Sequence, residues 1–179
     1  MINTIDVAII VGSGSDIPLI GETVKVLENF GLSYSLNIAS AHRTAQHLKQ
    51  SIQSAESLNA KVFIAAAGMS AALPGVIASE TVLPVIGIPV DSKNLSSLDS
   101  LFSIVQMPKG VPVATVAVGK AGAVNAAILA AQIIAVTNDD LKEKLKIFKN
   151  KTADEVVKED LKLQKYGLEK YLASIGKKL

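Results

Sequence analysis

The chain of 179 residues has no cysteine and no tryptophan, and aromatic residues make up only 4% of it. Without cysteine there is no disulfide framework, no thiolate nucleophile and no sulfur-based metal site. The two histidines lack a metal-ligand spacing, which argues against zinc, so no metal is expected. With three tyrosines and no tryptophan, little is left to sandwich a flavin, and an electron carrier is set aside. The N-terminus "MINTIDVAII" has no basic segment and no cleavage motif, so no signal peptide is expected. The apolar run 121–136 is Ala-rich, contains Asn125 and Gln132, and is short for a membrane span. A soluble cytoplasmic protein is expected.

Arginine is the other scarcity. The chain has 18 Lys and Arg together, yet Arg43 is its single arginine. It lies in "SAHRTAQH", residues 40–47, which also holds both histidines, His42 and His47. A guanidinium is a rigid planar fork suited to bidentate contact with phosphate or carboxylate. The imidazole beside it is the side chain best placed to move protons near neutral pH. The pair suggests anion binding next to proton transfer.

What is abundant is aliphatic. Hydrophobic residues make up 49% of the chain, so Ala, Val, Ile and Leu must build the core. The length suits one domain with a substantial core. The net charge of +2 is local: residues 137–179 carry 11 Lys against 8 acids, whereas residues 1–136 carry 7 basic residues against 8 acids. In the tail the signs alternate as on a solvated helix face. No basic stripe with interleaved aromatics supports nucleic-acid binding.

Hydrophobic patterning predicts strands at 5–11, 33–38, 61–67, 82–90 and 111–118. Helices are expected over 17–30, closed by Gly31, then to about residue 58, near 74–80, to about 105, and from 119 to 136. Strands apolar on both faces, alternating with helices, imply a parallel sheet in a three-layer αβα sandwich. From residue 137 the pattern becomes Leu/Lys/Glu-rich, with "TNDD" as a helix start. About two amphipathic helices are expected there, outside an α/β catalytic domain of residues 1–136, packing on the same or neighbouring subunits.

Open parallel sheets bind ligands beyond the carboxyl ends of their strands. The segments after the five strands are therefore candidates: Gly12-Ser13-Gly14-Ser15-Asp16, Ser40-Ala41-His42-Arg43-Thr44, Gly68-Met69-Ser70, Asp91-Ser92 and Gly119-Lys120-Ala121-Gly122. The first can cradle a phosphate with backbone N–H groups and serine hydroxyls, or can simply cap a helix with Ser13, Ser15 or Asp16. It is neither a G-x-G-x-x-G fingerprint nor a P-loop. His42, at a strand end, is the better catalytic candidate. His47 falls about 140° around the following helix and reads as a surface or packing residue. Gly119–Gly122 is either a second backbone nest or a tight strand–helix packing.

Five segments in order, "GSGSD", "SAHRT", "AGMSAALPG", "PVIGIPV" and "SLFSIVQMPKGVPVATVAVGKAGAVNAA", make residues 6–136 resemble a purine-biosynthesis enzyme family. Its members are the N5-carboxyaminoimidazole ribonucleotide mutases and the related aminoimidazole ribonucleotide carboxylases. The resemblance implies a flavodoxin-like sandwich and a homo-octamer with sites between subunits, against which the C-terminal segment packs. It implies a small ribonucleotide substrate held at its ribose and phosphate by Ser13, Asp16 and Arg43. Gly12, Ser40, Gly68 and Ser70 complete the candidate substrate-binding set. His42 would be the general acid/base at the carbon that gains the carboxylate, through loss and recapture of CO2 in a closed site. No metal, nucleotide or biotin cofactor is implied. An ATP-dependent carboxyaminoimidazole ribonucleotide synthase would act beforehand.

One position departs from the mutase pattern. Mutases normally carry a His directly before "LPG", where this chain has Ala72. The branch that carboxylates with CO2 directly tends to have Ala there, and Ala45 also leans that way. That branch usually has Lys in place of Arg43, however, and lacks "GKAGAVNAA". The balance favours the mutase, with the direct carboxylase as alternative. A non-catalytic phosphate- or nucleotide-binding module on the same fold is the reading from another class.

Overall fold

The computed structural model describes residues 4–91 and 95–178. Five strands form one sheet: β1 (Val7–Val11), β2 (Tyr34–Ile38), β3 (Val62–Ala67), β4 (Val85–Pro89) and β5 (Ala114–Thr115). All pairings are parallel, in the order β2-β1-β3-β4-β5. This is the flavodoxin-like order, whose direction of winding reverses between β1 and β3.

Alternation along the strands sorts the core into two halves. Val7, Ile9, Val11, Ile64, Ala66 and Ile88 pack against helices α1 (Ile17–Phe30) and α5 (Gly119–Ala135). Ala8, Ile10, Phe63, Ala65 and Val85 face α2 (Ala45–Ser57), α3 (Leu73–Glu80) and α4 (Leu98–Val105). β1, β3 and β4 are buried throughout because both faces are covered. The alanines of α5 let it press close to the sheet. At Gly122 an added Cβ would sit 1.7 Å from the Ala117 carbonyl oxygen, so only glycine fits. This makes Gly119–Gly122 a packing junction. Lys120 leaves it to meet Glu22 at 3.6 Å.

The edges differ from the sequence expectation. β2 is not covered on both faces: Leu36 is 38% and Ile38 51% exposed. β5 shrinks to two residues where 111–118 was expected. Pro112 brings no N–H to a ladder, and pairing with β4 is confined to Ala114 and Thr115 opposite Ile86 and Gly87, followed by Val116 N donating to Gly87 O.

At the amino ends of the strands, Asp6 ties three segments together. It accepts from Ser33 N and Oγ at 3.0 and 2.8 Å, and from Lys61 Nζ at 2.7 Å. Burial pushes the Asp6 carboxyl up, but these bonds outweigh it and hold the group below its usual range.

The tail is one helix in outline, α6 (Asp139–Ser174), interrupted at Gly167, whose φ of 72° takes it out of helical geometry. Asn138 caps it by accepting from Leu141 N at 3.0 Å, as the "TNDD" start suggested. Leu141 and Leu145 enter the core, and Phe148 meets Phe30 edge-on at 5.6 Å. Further along, Val156, Leu161 and Leu168 are exposed. Beyond Gly167 the chain turns back, and Tyr171 Oη donates to Glu159 at 2.8 Å. No helix among the described residues is long and apolar enough to cross a membrane.

Candidate active site

Loops at the carboxyl ends of β1, β2, β3 and β4 line one open cleft of about 550 Å³. It lies beside the β1/β3 reversal, where the topology leaves a crevice. Gly12, Ser13, Asp16, Ser40, His42, Arg43, Gly68 and Ser70 all line it. His47 does not: it is exposed on α2.

After β1 the chain makes a single turn before α1. Ser13 is extended and caps that turn, accepting from Ser15 N at 3.3 Å and from Ser15 Oγ at 2.9 Å. Ser15 Oγ is also 3.2 Å from Asp16 Oδ1. Burial raises the Asp16 carboxyl above its ordinary value, against the lowering effect of hydrogen bonds from Ser15 and Ser13. Ser13, Ser15 and Asp16 are thus bonded to one another within the capping turn, and all three line the cleft.

After β2, Arg43 bends toward that first loop. Its Nη2 donates to Gly12 O at 3.1 Å, and its Nε donates to Ser40 Oγ at 3.3 Å. No carboxylate among the described residues lies within ion-pair distance of it, so the guanidinium is not consumed by a surface salt bridge. It brings a permanent positive charge to a cleft whose other wall carries serine hydroxyls and backbone amides. His42 precedes it in the same loop and is exposed to the cleft.

The third wall is "GMSAALPG". Met69 takes φ of 57°, and Ala71 N and Ala72 N donate to Met69 O and Ser70 O at 2.8 and 2.7 Å. This tight turn starts α3 with Pro74 in its first turn. Ala72 is half-buried on the cleft wall, so the position directly before "LPG" presents only a methyl group there.

The fourth wall holds Asp91, which sequence reasoning placed on the rim without assigning it to the site. It accepts from the buried Ser97 hydroxyl. Leu95, Ser96 and Ser97, with φ of 50°, 49° and 64°, form the left-handed turn that brings Ser97 there. Nothing in the composition of "LSS" signals such a turn. Ser92, its predicted neighbour on the rim, lies outside the described residues. The Gly119–Gly122 segment does not line the cleft, although a side chain at Gly119 would be in ordinary contact with Asp91.

A parallel 2-1-3-4-5 sandwich with a serine-rich first turn, a strand-end Arg and an adjacent His defines an α/β protein equipped for an anionic small molecule. Comparison with known proteins makes this specific. Residues 6–155 match the AIR carboxylase family model, and the chain belongs to that family. It is 47% identical over 167 residues to the N5-carboxyaminoimidazole ribonucleotide mutase of Pyrococcus horikoshii, covering 93% of each chain. It is 46% identical over 166 residues to that of Thermotoga maritima, covering 93% of this chain and 96% of the relative. The solved structure of Treponema denticola PurE superimposes with a TM-score of 0.81 at 30% identity, covering 88% of this chain and 97% of that one.

Proposed function

We propose that this protein converts N5-carboxyaminoimidazole ribonucleotide into 4-carboxy-5-aminoimidazole ribonucleotide in purine biosynthesis, acting as a mutase. The observation that carries this reading is the cleft itself: His42 and Arg43 adjoin at the end of β2, and Arg43 is tied to Gly12 of the first loop at 3.1 Å. The names of the P. horikoshii and T. maritima relatives support the same assignment.

In this reading the N–C bond of the carbamate breaks, CO2 is released and the exocyclic nitrogen gains a proton. The ring carbon then attacks CO2, a C–C bond forms, and that carbon loses its proton. The proton gained at nitrogen balances the one lost at carbon, so one acid/base group suffices, and His42 fills that role. Arg43, Ser13 and Asp16 hold the ribose and phosphate, with Gly12, Ser40, Gly68 and Ser70 completing the cradle. Holding CO2 beside an electron-rich ring converts a bimolecular capture into a local one. No cofactor enters the scheme.

The open side of the cleft, the uncovered β2 edge and the apolar residues of outer α6 support assembly into a homo-octamer that closes the site. An ATP-dependent synthase would supply the labile carbamate, and the protein would work in the cytoplasm.

The second reading is direct carboxylation of aminoimidazole ribonucleotide, favoured by the methyl group of Ala72 on the cleft wall. A paired assay decides. Turnover of N5-carboxyaminoimidazole ribonucleotide alone supports the mutase. Efficient turnover of aminoimidazole ribonucleotide with bicarbonate supports the carboxylase. Binding without turnover in either arm would make the protein a ribonucleotide-binding module.

A further inference from the structure

Thr44 occupies the N-cap position of α2, where a threonine hydroxyl ordinarily accepts from an N–H of the first helical turn. Here it makes no such bond. Instead its Oγ1 accepts from Ser40 N at 2.8 Å and donates to Ser40 O at 3.2 Å, while its own N–H donates to the same carbonyl at 2.9 Å. Three bonds between two residues close 40–44 into a ring containing His42 and Arg43. Ser40 then turns its hydroxyl to Arg43, accepting from both the backbone N and Nε at 3.3 Å. Arg43 passes the connection on to Gly12 O. Thr44, Ser40, Arg43 and Gly12 thus form a continuous hydrogen-bonded path from the start of α2 to the first loop. Along it the helix forgoes a cap for the sake of loop geometry.

We propose that Thr44 is a positioning residue for the reaction, acting through Ser40 to hold the Arg43 fork and the neighbouring His42 in one arrangement before substrate arrives. The proposal rests on the reading that Arg43 holds the phosphate. The loop is on the surface and Arg43 is exposed, so packing alone does not immobilise it. An unrestrained arginine would lose rotamer freedom on each binding event, and pre-ordering removes that cost. It also means that the Ser40 hydroxyl is an acceptor for Arg43 first, with only its own O–H left to offer a ligand.

The test compares Thr44→Val, which keeps the shape and removes the hydroxyl, with Thr44→Ser, which keeps the hydroxyl. Kinetics use N5-carboxyaminoimidazole ribonucleotide and binding uses aminoimidazole ribonucleotide. The valine variant is expected to weaken binding about five- to tenfold, the scale of one lost hydrogen-bond pair, and to lower kcat as His42 loosens. The serine variant should restore both to within about twofold. In an Arg43→Ala background, Thr44→Val should have no further effect on binding, because the group it positions is gone. Three outcomes would overturn the proposal: wild-type binding in Thr44→Val, failure of Thr44→Ser to rescue, or full additivity with Arg43→Ala. If Arg43→Ala itself binds like the wild type, the phosphate role of Arg43 fails instead, and the two failures are told apart. Thermal melts of each variant check that losses do not track unfolding.

Discussion

Arg43 Nη2 lies 3.1 Å from the carbonyl oxygen of Gly12, so the ends of β1 and β2 are joined by the one guanidinium in the chain. On the proposed reading, the remaining N–H groups of that fork contact the substrate phosphate. Arg43→Lys keeps the charge but supplies no planar fork and cannot reach Ser40 and Gly12 together with a phosphate. Ribonucleotide affinity should fall by about tenfold or more, with little change in melting temperature. Calorimetric titration of the two proteins checks this. Equal affinities would show that charge alone matters.

Substitution of His42 tests whether chemistry and binding separate as proposed. With His42→Asn, turnover should drop by roughly 10²- to 10⁴-fold, the range for removing an acid/base group, while the ribonucleotide dissociation constant stays within about threefold. Steady-state rates set beside direct binding give the answer. Unchanged turnover would remove His42 from its role.

Asp16 contributes to the pH dependence of stability. Burial raises its carboxyl pKa, so the folded chain keeps this proton at a pH where the unfolded chain has lost it. Its contribution therefore favours folding below the ordinary carboxylate pKa and is lost as pH climbs through the raised value. At neutral pH the charge opposes folding. Asp16→Asn should accordingly raise the melting temperature by on the order of 1–2 °C at neutral pH, with the gain vanishing in acid, while weakening ribonucleotide binding. Melts across the acid range test it, and a lower melting temperature at neutral pH would contradict it.

Gly122→Ala is a test of packing. The added methyl would overlap the Ala117 carbonyl at 1.7 Å, and a backbone atom cannot rotate aside. A loss of about 3 kcal/mol, the upper end of the usual overpacking cost, is expected, seen as a fall of on the order of 10 °C in melting temperature. A variant with wild-type stability would mean that the β5–α5 junction shifts freely.

Much of this was legible in the chain. Val7–Val11 and Val62–Ala67 are apolar runs too short for helices, each followed directly by a glycine, and they became the central buried strands. Because parallel strands put all their ligand loops at one end, the segments after the first four strands are enough to assemble the cleft. The edges were not legible in the same way. "SYSLNI" and "VPVATVAV" have strand-like composition, but how much of an edge pairs depends on neighbours and on where proline removes a donor. Asp91 was visible as a rim residue, whereas its partner Ser97 was hidden behind a left-handed turn that no residue type in "LSS" demands.

Local chemistry, then, determined the parallel sandwich, the helix starts at Asn138 and after Ser13, and the choice of His42 and Arg43. Those features arise from periodicity, capping and side-chain type, all encoded within a few residues of one another. Tertiary structure alone decided the strand order 2-1-3-4-5, the bridge from Arg43 to Gly12 and the redirection of Thr44 from its helix cap to Ser40. Strand order depends on which faces the helices cover, and the bridge spans 31 residues of sequence. Thr44 needed only its neighbours within reach, yet two satisfactory partners competed for one hydroxyl, and the folded loop settled which of them it takes.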